Sequence, residues 1–274
     1  MSCGAAGGEA RRLAGRVALV TGAGSGIGRS IAAAFAREGA NLGINYCANR
    51  EGAEDTLSAV RAAGAEGLVL RADVADPLQV RAMVAALHER FGRIDILVNN
   101  SGIGSRDSPD RVHEILESDW DRVLAVNLKG AMLACQAVLP IMMEQDRRGS
   151  ILFISSIRGL LGNPSLASYC ASKGAEVLLA RQMATDYASR GIRVNCICPG
   201  FVLTEMLQGY INRQQDPQAA RRAFAAMSPM NRVGRPEEIA AAAVFLASDA
   251  ASFFTGVPLP VDGGYTASGG RDIL

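Results

Sequence analysis

The stretch VALVTGAGSGIGRSIAAAFAREG (17–39) runs from an apolar strand through a glycine loop into a helix, and its reading decides the fold. Gly22, Gly24, Gly26 and Gly28 let the backbone approach a ligand with no Cβ in the way. The helix that follows aims its free N–H groups at the same place, where a pyrophosphate would sit. The spacing is T-G-x-x-x-G-x-G rather than the general dinucleotide fingerprint G-x-G-x-x-G. A glycine-rich turn alone is compatible with a structural role. Four glycines between this strand and this helix favour a nucleotide.

Working outward, apolar runs of strand length recur at 42–46, 67–70, 94–99, 150–155, 193–197 and 257–261. Between most of them lie helical patterns such as PLQVRAMVAALHERFG. Strands apolar on both faces, alternating with helices, imply a parallel sheet covered on both sides. Right-handed crossovers then give a doubly wound α/β Rossmann fold. No linker or internal repeat divides the chain, so residues 15–274 are expected to form one domain behind a flexible lead-in at 1–14. Residues 201–235 break the rhythm with mixed polarity and the Pro217 interruption. They follow a strand at the sheet edge where such folds bind ligands, and are expected to form a substrate lid.

Composition narrows the function. A formal net charge of +1 offers no broad field for nucleic acid or an anionic membrane. The longest apolar run, IAAAAVFLA (239–247), falls well short of the ~18 residues a membrane helix needs. The N-terminus MSCGAAGGEARRLAG lacks an apolar signal core, so a cytoplasmic location is expected. The six cysteines are read as reduced packing residues. Cys196 and Cys198 are expected on opposite faces of a strand. With only His88 and His113 elsewhere, no metal site is expected.

The segment YCASK (169–173) places Tyr169 and Lys173 about one helical turn apart on one face. Of 28 basic residues only Lys129 and Lys173 are lysines. Lysine is a compact donor with a tunable charge, whereas arginine presents a broad, permanently charged fork. The pair is therefore a candidate for moving a proton.

Six segments occur in order: TGAGSGIG (21–28), NNSG (99–102), Asn127 in VNLKG, Ser156 in ISS, YCASK, and Pro199-Gly200. They resemble the short-chain dehydrogenase/reductase family over almost the whole chain. The thirteen residues from Ser156 to Tyr169 fit as well, and only Ser101 departs, standing where the family usually has alanine. The resemblance implies a seven-stranded sheet, a nicotinamide dinucleotide and a catalytic group of Asn127, Ser156, Tyr169 and Lys173. Tyr169 would exchange the proton as hydride is transferred, and Lys173 would favour the phenolate and hold the nicotinamide ribose. Ser156 would hydrogen-bond the carbonyl oxygen, and Asn127 would support a water linking Lys173 to solvent. Coenzyme contacts are implied at Gly22, Ser25, Gly26, Ile27 and Gly28 in the loop. Asp73 and Val74 would meet the adenine, and Asn100, Ser101 and Gly102 the adenosine side. Pro199, Gly200, Val202 and Thr204 would hold the carboxamide end.

Members of that family specific for NAD usually end the second strand with an acid on the adenosine ribose. Tyr46 stands there, and the usual basic positions for NADP hold Ser25 and Cys47, both neutral. Arg50 is near enough to reach inward or to be solvated. The missing acid favours NADP(H) over NAD(H). The substrate is expected to be a small alcohol, sugar or other secondary alcohol, with 3-oxoacyl-carrier-protein reduction as the alternative. Against the alternative, Leu133 stands where those reductases tend to place an arginine, and IGSRDSPD follows NNSG in place of ITRD. An inactive nucleotide-binding regulator usually loses the tyrosine or lysine, and this chain has both. Arg158, two residues past Ser156, is a candidate for a polar or anionic substrate group, or else for a surface ion pair. Apolar patterns at 123–143 and 173–188 exceed what one sheet face needs, and in the family these helices pair between subunits, implying a homotetramer.

Overall fold

A computed structural model describes residues 11–146 and 148–269. The chain runs β1 (Val17–Val20), α1 (Gly26–Arg37), β2 (Asn41–Tyr46), α2 (Arg50–Ala62), β3 (Gly67–Arg71), α3 (Pro77–Phe91) and β4 (Ile96–Asn99). It continues through α4 (Glu117–Leu124), α5 (Gly130–Glu144), β5 (Ser150–Ile154), α6 (Ala167–Tyr187) and β6 (Arg193–Pro199). Helices α7 (Glu205–Asn212), α8 (Pro217–Ala226) and α9 (Pro236–Ala247) precede β7 (Pro258–Val261). Each of the seven apolar runs forms a strand. All pair in parallel in the order β3-β2-β1-β4-β5-β6-β7.

Strand alternation explains the two cores. Ala18 and Val20 face one side with Ile31, Phe35, Ala243 and Val244, while Val17 and Leu19 face the other with Leu87, Val138 and Ala180. Covering both faces is what lets β1, β4 and β5 be apolar at nearly every position. The order reverses between β1 and β4, and the loops after those strands open at one sheet edge, the usual ligand site of such sheets.

Three expectations need correction. Residues 1–10 of the lead-in lie outside the described residues, but its last part is packed: Leu13 is fully buried, its N–H bonds the Glu38 carbonyl, and Arg12 pairs with Glu38. Helices α4 and α5 are joined by a π-helical turn, Ala125–Lys129, so Glu117–Glu144 is one helix of 28 residues with a mean hydropathy of 1.5 in its most apolar window. By length and composition it could cross a bilayer, which no uninterrupted apolar run in the sequence suggests. Here 44% of that window is buried inside the molecule, against α3 and α6. Lastly, Cys196 and Cys198 share a face, with Sγ atoms 4.0 Å apart, because side chains two apart on a strand point the same way. Cys47, Cys135, Cys170, Cys196 and Cys198 are free thiols, and Cys3 lies outside the described residues.

Candidate active site

The glycine loop is pinned by side chains reaching its backbone. Gly22 and Gly26 adopt left-handed φ values of 62° and 53°, which only glycine takes without strain. Asn45 Oδ1 accepts the Gly22 N–H at 3.1 Å, and Asn100 Nδ2 donates to the carbonyls of Thr21 and Gly22 at 2.9 and 3.1 Å. Thr21 Oγ1 in turn accepts the N–H groups of Asn100 and Ser101 at 2.9 and 3.1 Å. A Cβ at Gly28 would lie 2.5 Å from both Asn100 Nδ2 and the Gly22 carbonyl, so that position admits no side chain. Ser25 precedes α1 without capping it through its side chain, and the first turn carries no acid. Those uncommitted N–H groups fit an anionic dinucleotide. Ile27 packs partly buried against the core below.

The remaining coenzyme candidates surround this loop. Tyr46 is buried at the end of β2, with Cys47 exposed beyond it. Arg50 lies at the surface, with Nε 3.7 Å from Glu54, so its side chain is not turned toward the loop as the inward placement would require. Asp73 Oδ1 accepts the Ala75 N–H at 2.9 Å, shaping the turn after β3, and Val74 is buried beside Gly130. Gly200 sits so close to Asp262 that a Cβ would meet Asp262 Cα at 2.8 Å. Pro199 ends β6, and Val202 bridges to Gly234. Thr204 caps α7 through Leu207 N–H, and its methyl lies 3.3 Å from where a Gly26 Cβ would be. The loops after β1 and β6 therefore close on one another.

Asn127, Tyr169 and Lys173 come together beside the ends of β4 and β5, and Ser156 lies two residues past the end of β5. Asn127 is fully buried in the π-helical turn, a distortion often found at functional sites. Its Oδ1 accepts the Ile103 N–H at 2.8 Å, while Nδ2 donates to the Ile103 carbonyl and to Ser172 Oγ, both at 3.0 Å. Ser156 opens a 3₁₀ turn, and its Oγ accepts the Arg158 N–H at 3.1 Å. Tyr169 lies in the first turn of α6, with its ring centroid 5.9 Å from Lys173 Nζ. A Cβ on Gly102 would lie 3.4 Å from Lys173 Nζ and 3.6 Å from Asn127 Oδ1, so the NNSG glycine leaves the ammonium open on that side.

Two acids in this site were not singled out from the sequence. Asp110 is buried and accepts the N–H groups of Ser168 at 2.8 Å and Tyr169 at 3.4 Å, fixing the start of α6. Nothing in the stretch SRDSPD marks it, because its partners lie 58 and 59 residues away. Glu176 is buried against Lys173, with Nζ to Oε1 and Oε2 distances of 2.8 and 3.1 Å. Its signal was available: 169, 173, 176, 177 and 180 fall on one helical stripe, and Glu176 is an acid on that stripe. Burial pushes the Glu176 carboxyl up to about 7, against the pull of Lys173. Burial presses the Lys173 ammonium down, but Glu176 and then Tyr169 outweigh it, and its pKa is raised.

Arg158 does not pair with a surface acid. It is buried, donates from Nη1 to Tyr265 Oη at 3.2 Å, and lies 5.5 and 5.3 Å from the ring centres of Phe201 and Tyr265.

A glycine loop shaped for a dinucleotide, beside a serine, tyrosine and lysine at a ligand-binding sheet edge, suits hydride exchange on a carbon that bears oxygen. Residues 22–266 match the family model described as enoyl-(acyl carrier protein) reductase, and the chain belongs to the short-chain dehydrogenase/reductase family of NAD(P)-dependent oxidoreductases that interconvert alcohols and ketones. It is 41% identical over 257 residues to 2-(S)-hydroxypropyl-CoM dehydrogenase 3 of Xanthobacter autotrophicus, covering 93% of this chain and 98% of that one. To 3-oxoacyl-[acyl-carrier-protein] reductase of Staphylococcus aureus it is 39% identical, covering 90% and 96%. The crystal structure of levodione reductase superposes with a TM-score of 0.89 at 38% identity, over 94% of this chain and all of that one.

Proposed function

We propose that this chain is an NADP(H)-preferring dehydrogenase/reductase of small polar secondary alcohols and their ketones, with Tyr169 as general acid and base. The observation that supports it is the placement of Lys173 Nζ beside Gly102 and Asn127, with the Tyr169 ring 5.9 Å from the same ammonium. Bound coenzyme supplies or accepts the hydride. Ser156 orients the substrate oxygen, Tyr169 gives it a proton in reduction, and the Lys173 charge draws the phenol toward the phenolate. Asn127, locked to Ile103, holds the path from Lys173 toward solvent. Coenzyme contacts are assigned to Gly22, Ser25, Gly26, Ile27, Gly28, Tyr46, Asp73, Val74, Asn100, Ser101, Gly102, Pro199, Gly200, Val202 and Thr204.

NADP(H) is favoured because buried Tyr46 brings no carboxylate to the end of β2. Arg50 begins α2 right after Asn49, whose amide donates to the Gly24 carbonyl at 3.1 Å. Its exposed pair with Glu54 is of a kind worth little, so the guanidinium is free to swing toward a 2′-phosphate. Residues 201–235, two short helices in which only Ile211 is buried, are assigned as the substrate lid. Carrier-protein reduction is less well supported: Leu133 is buried, so that position offers no cation to an acidic carrier. The test is a panel of polar and apolar ketones run with NADPH and NADH in parallel. The expected result is faster turnover with NADPH on small polar ketones; a preference for NADH, or for acyl-carrier substrates, overturns the corresponding part.

We further propose a homotetramer built on α5 and α6, which leave Met132, Met143 and Leu178 exposed. Light scattering at micromolar concentration is expected to give four times 28.7 kDa, and a monomer mass would refute it.

A further inference from the structure

Lys173 carries three N–H donors, and the structure directs the ammonium at one backbone carbonyl and one carboxylate. Nζ lies 3.0 Å from the Ile154 carbonyl, 2.8 Å from Glu176 Oε1 and 3.1 Å from Glu176 Oε2. Both side chains are almost wholly buried, at 4% and 2% exposure, so water does little to screen the pair. The groups facing it from neighbouring elements are neutral. Strand β5 supplies the Ile154 carbonyl, and Ser155, the residue after it, brings a hydroxyl within reach of Glu176. Strand β6 supplies Cys196, whose thiol is held well above its usual range by Cys198 and by burial. Asn127 faces the ammonium beside Gly102, and Tyr169 faces it from the same helix. Among the described residues, Lys173 and Glu176 therefore stand as an ion pair in neutral surroundings.

From this geometry we infer that Glu176 is a positioning residue that tethers Lys173 and offsets its charge, thereby weakening the pull of Lys173 on the Tyr169 phenol. The inference rests on the acid–base reading of Tyr169. The sign follows from charge. A cation beside a phenol favours the phenolate, and an anion held against that cation offsets part of the effect. Burial pushes Glu176 up to about 7, so the offset is present above that pH and fades below it. Removing the carboxylate leaves the Lys173 charge unopposed, and Tyr169 ionises at lower pH.

The experiment compares the wild type with Glu176→Gln, which keeps shape and an acceptor oxygen but not the charge. Tyrosinate absorbance is titrated in the coenzyme-free protein, and the same chain carrying Tyr169→Phe is subtracted to remove the other four tyrosines. The expected result is a Tyr169 pKa about one unit lower in Glu176→Gln, in the range a neighbouring charge imposes. The acid limb of kcat/KM for alcohol oxidation should move down in step. An unchanged or higher Tyr169 pKa overturns the inference. Glu176→Met, which also removes the charge while filling the space, stands in if thermal melts show the glutamine variant unfolded. Full activity in Tyr169→Phe would refute the acid–base reading instead, and the coenzyme-free titration would still report on Glu176.

Discussion

The two sides of the ligand edge are held by different means. Around β1 and β4 the loops are fixed by short polar side chains on backbone groups: Asn45 and Asn100 on the glycine loop, Thr21 on the start of NNSG. Such bonds act over single atoms, and a methyl group at Gly28 would already collide with them. Beyond β6 rings join the backbone bonds that tie Phe201 and Leu203 to Gly234. Phe201 packs on Phe224 and Tyr265 with centroids 5.3 and 5.6 Å apart, and Tyr210 meets Phe224 at 5.9 Å. Helix α8 buries nothing fully, and Met206 and Met230 stand exposed. Ring contacts tolerate sliding in a way that paired hydrogen bonds do not. The first side suits a fixed ligand common to a family. The second suits a ligand that varies between relatives.

The sharpest test of the rigid side is Tyr169→Phe. The ring is kept, Asp110 still holds the backbone of α6, and only the exchangeable proton is lost. Turnover is expected to fall by about two to four orders of magnitude, the range of general acid–base catalysis. Coenzyme affinity, measured by fluorescence titration, should stay near that of the wild type. Near-normal turnover would place the proton transfer on another group and break the contrast at its rigid end.

The same contrast explains what could be read in the sequence. The strands announce themselves as apolar runs, and each of the seven was legible without a partner, including the less buried edge strands β3 and β7. The glycine loop was legible because its geometry excludes side chains. A cap such as Asp110 was not, since its role depends on a loop closing over α6 from far along the chain. The joined helix Glu117–Glu144 was hidden because polar residues such as Asn127 and Lys129 interrupt its apolar pattern at the π-helical turn. Glu176 was legible in principle, as an acid on a buried helical stripe. Arg158 was not: its setting is made by Phe201 and by Tyr265, the latter 107 residues away, which no local pattern brings together.

Arg158 links the ring-held side to Ser156 of the candidate site. Its backbone N–H donates to Ser156 Oγ, and its guanidinium lies against the rings of Phe201, after β6, and Tyr265, after β7. Among the described residues it makes no ion pair, and its side chain donates one hydrogen bond, to Tyr265. A buried cation is costly without partners, and two aromatic faces supply part of the compensation. A hydroxyl, carboxylate or similar group on the substrate would supply the rest. Arg158→Ala is therefore expected to lower kcat/KM for a polar or anionic ketone by about tenfold to a hundredfold, equivalent to ~1.5–3 kcal/mol for a charge-assisted hydrogen bond. An apolar ketone should be nearly spared. Arg158→Met, which fills the space beneath Phe201 without the charge, separates recognition from packing. If methionine restores the polar substrate, the arginine acts by volume alone; if alanine harms both substrates equally, it supports the rings and does not select between substrates.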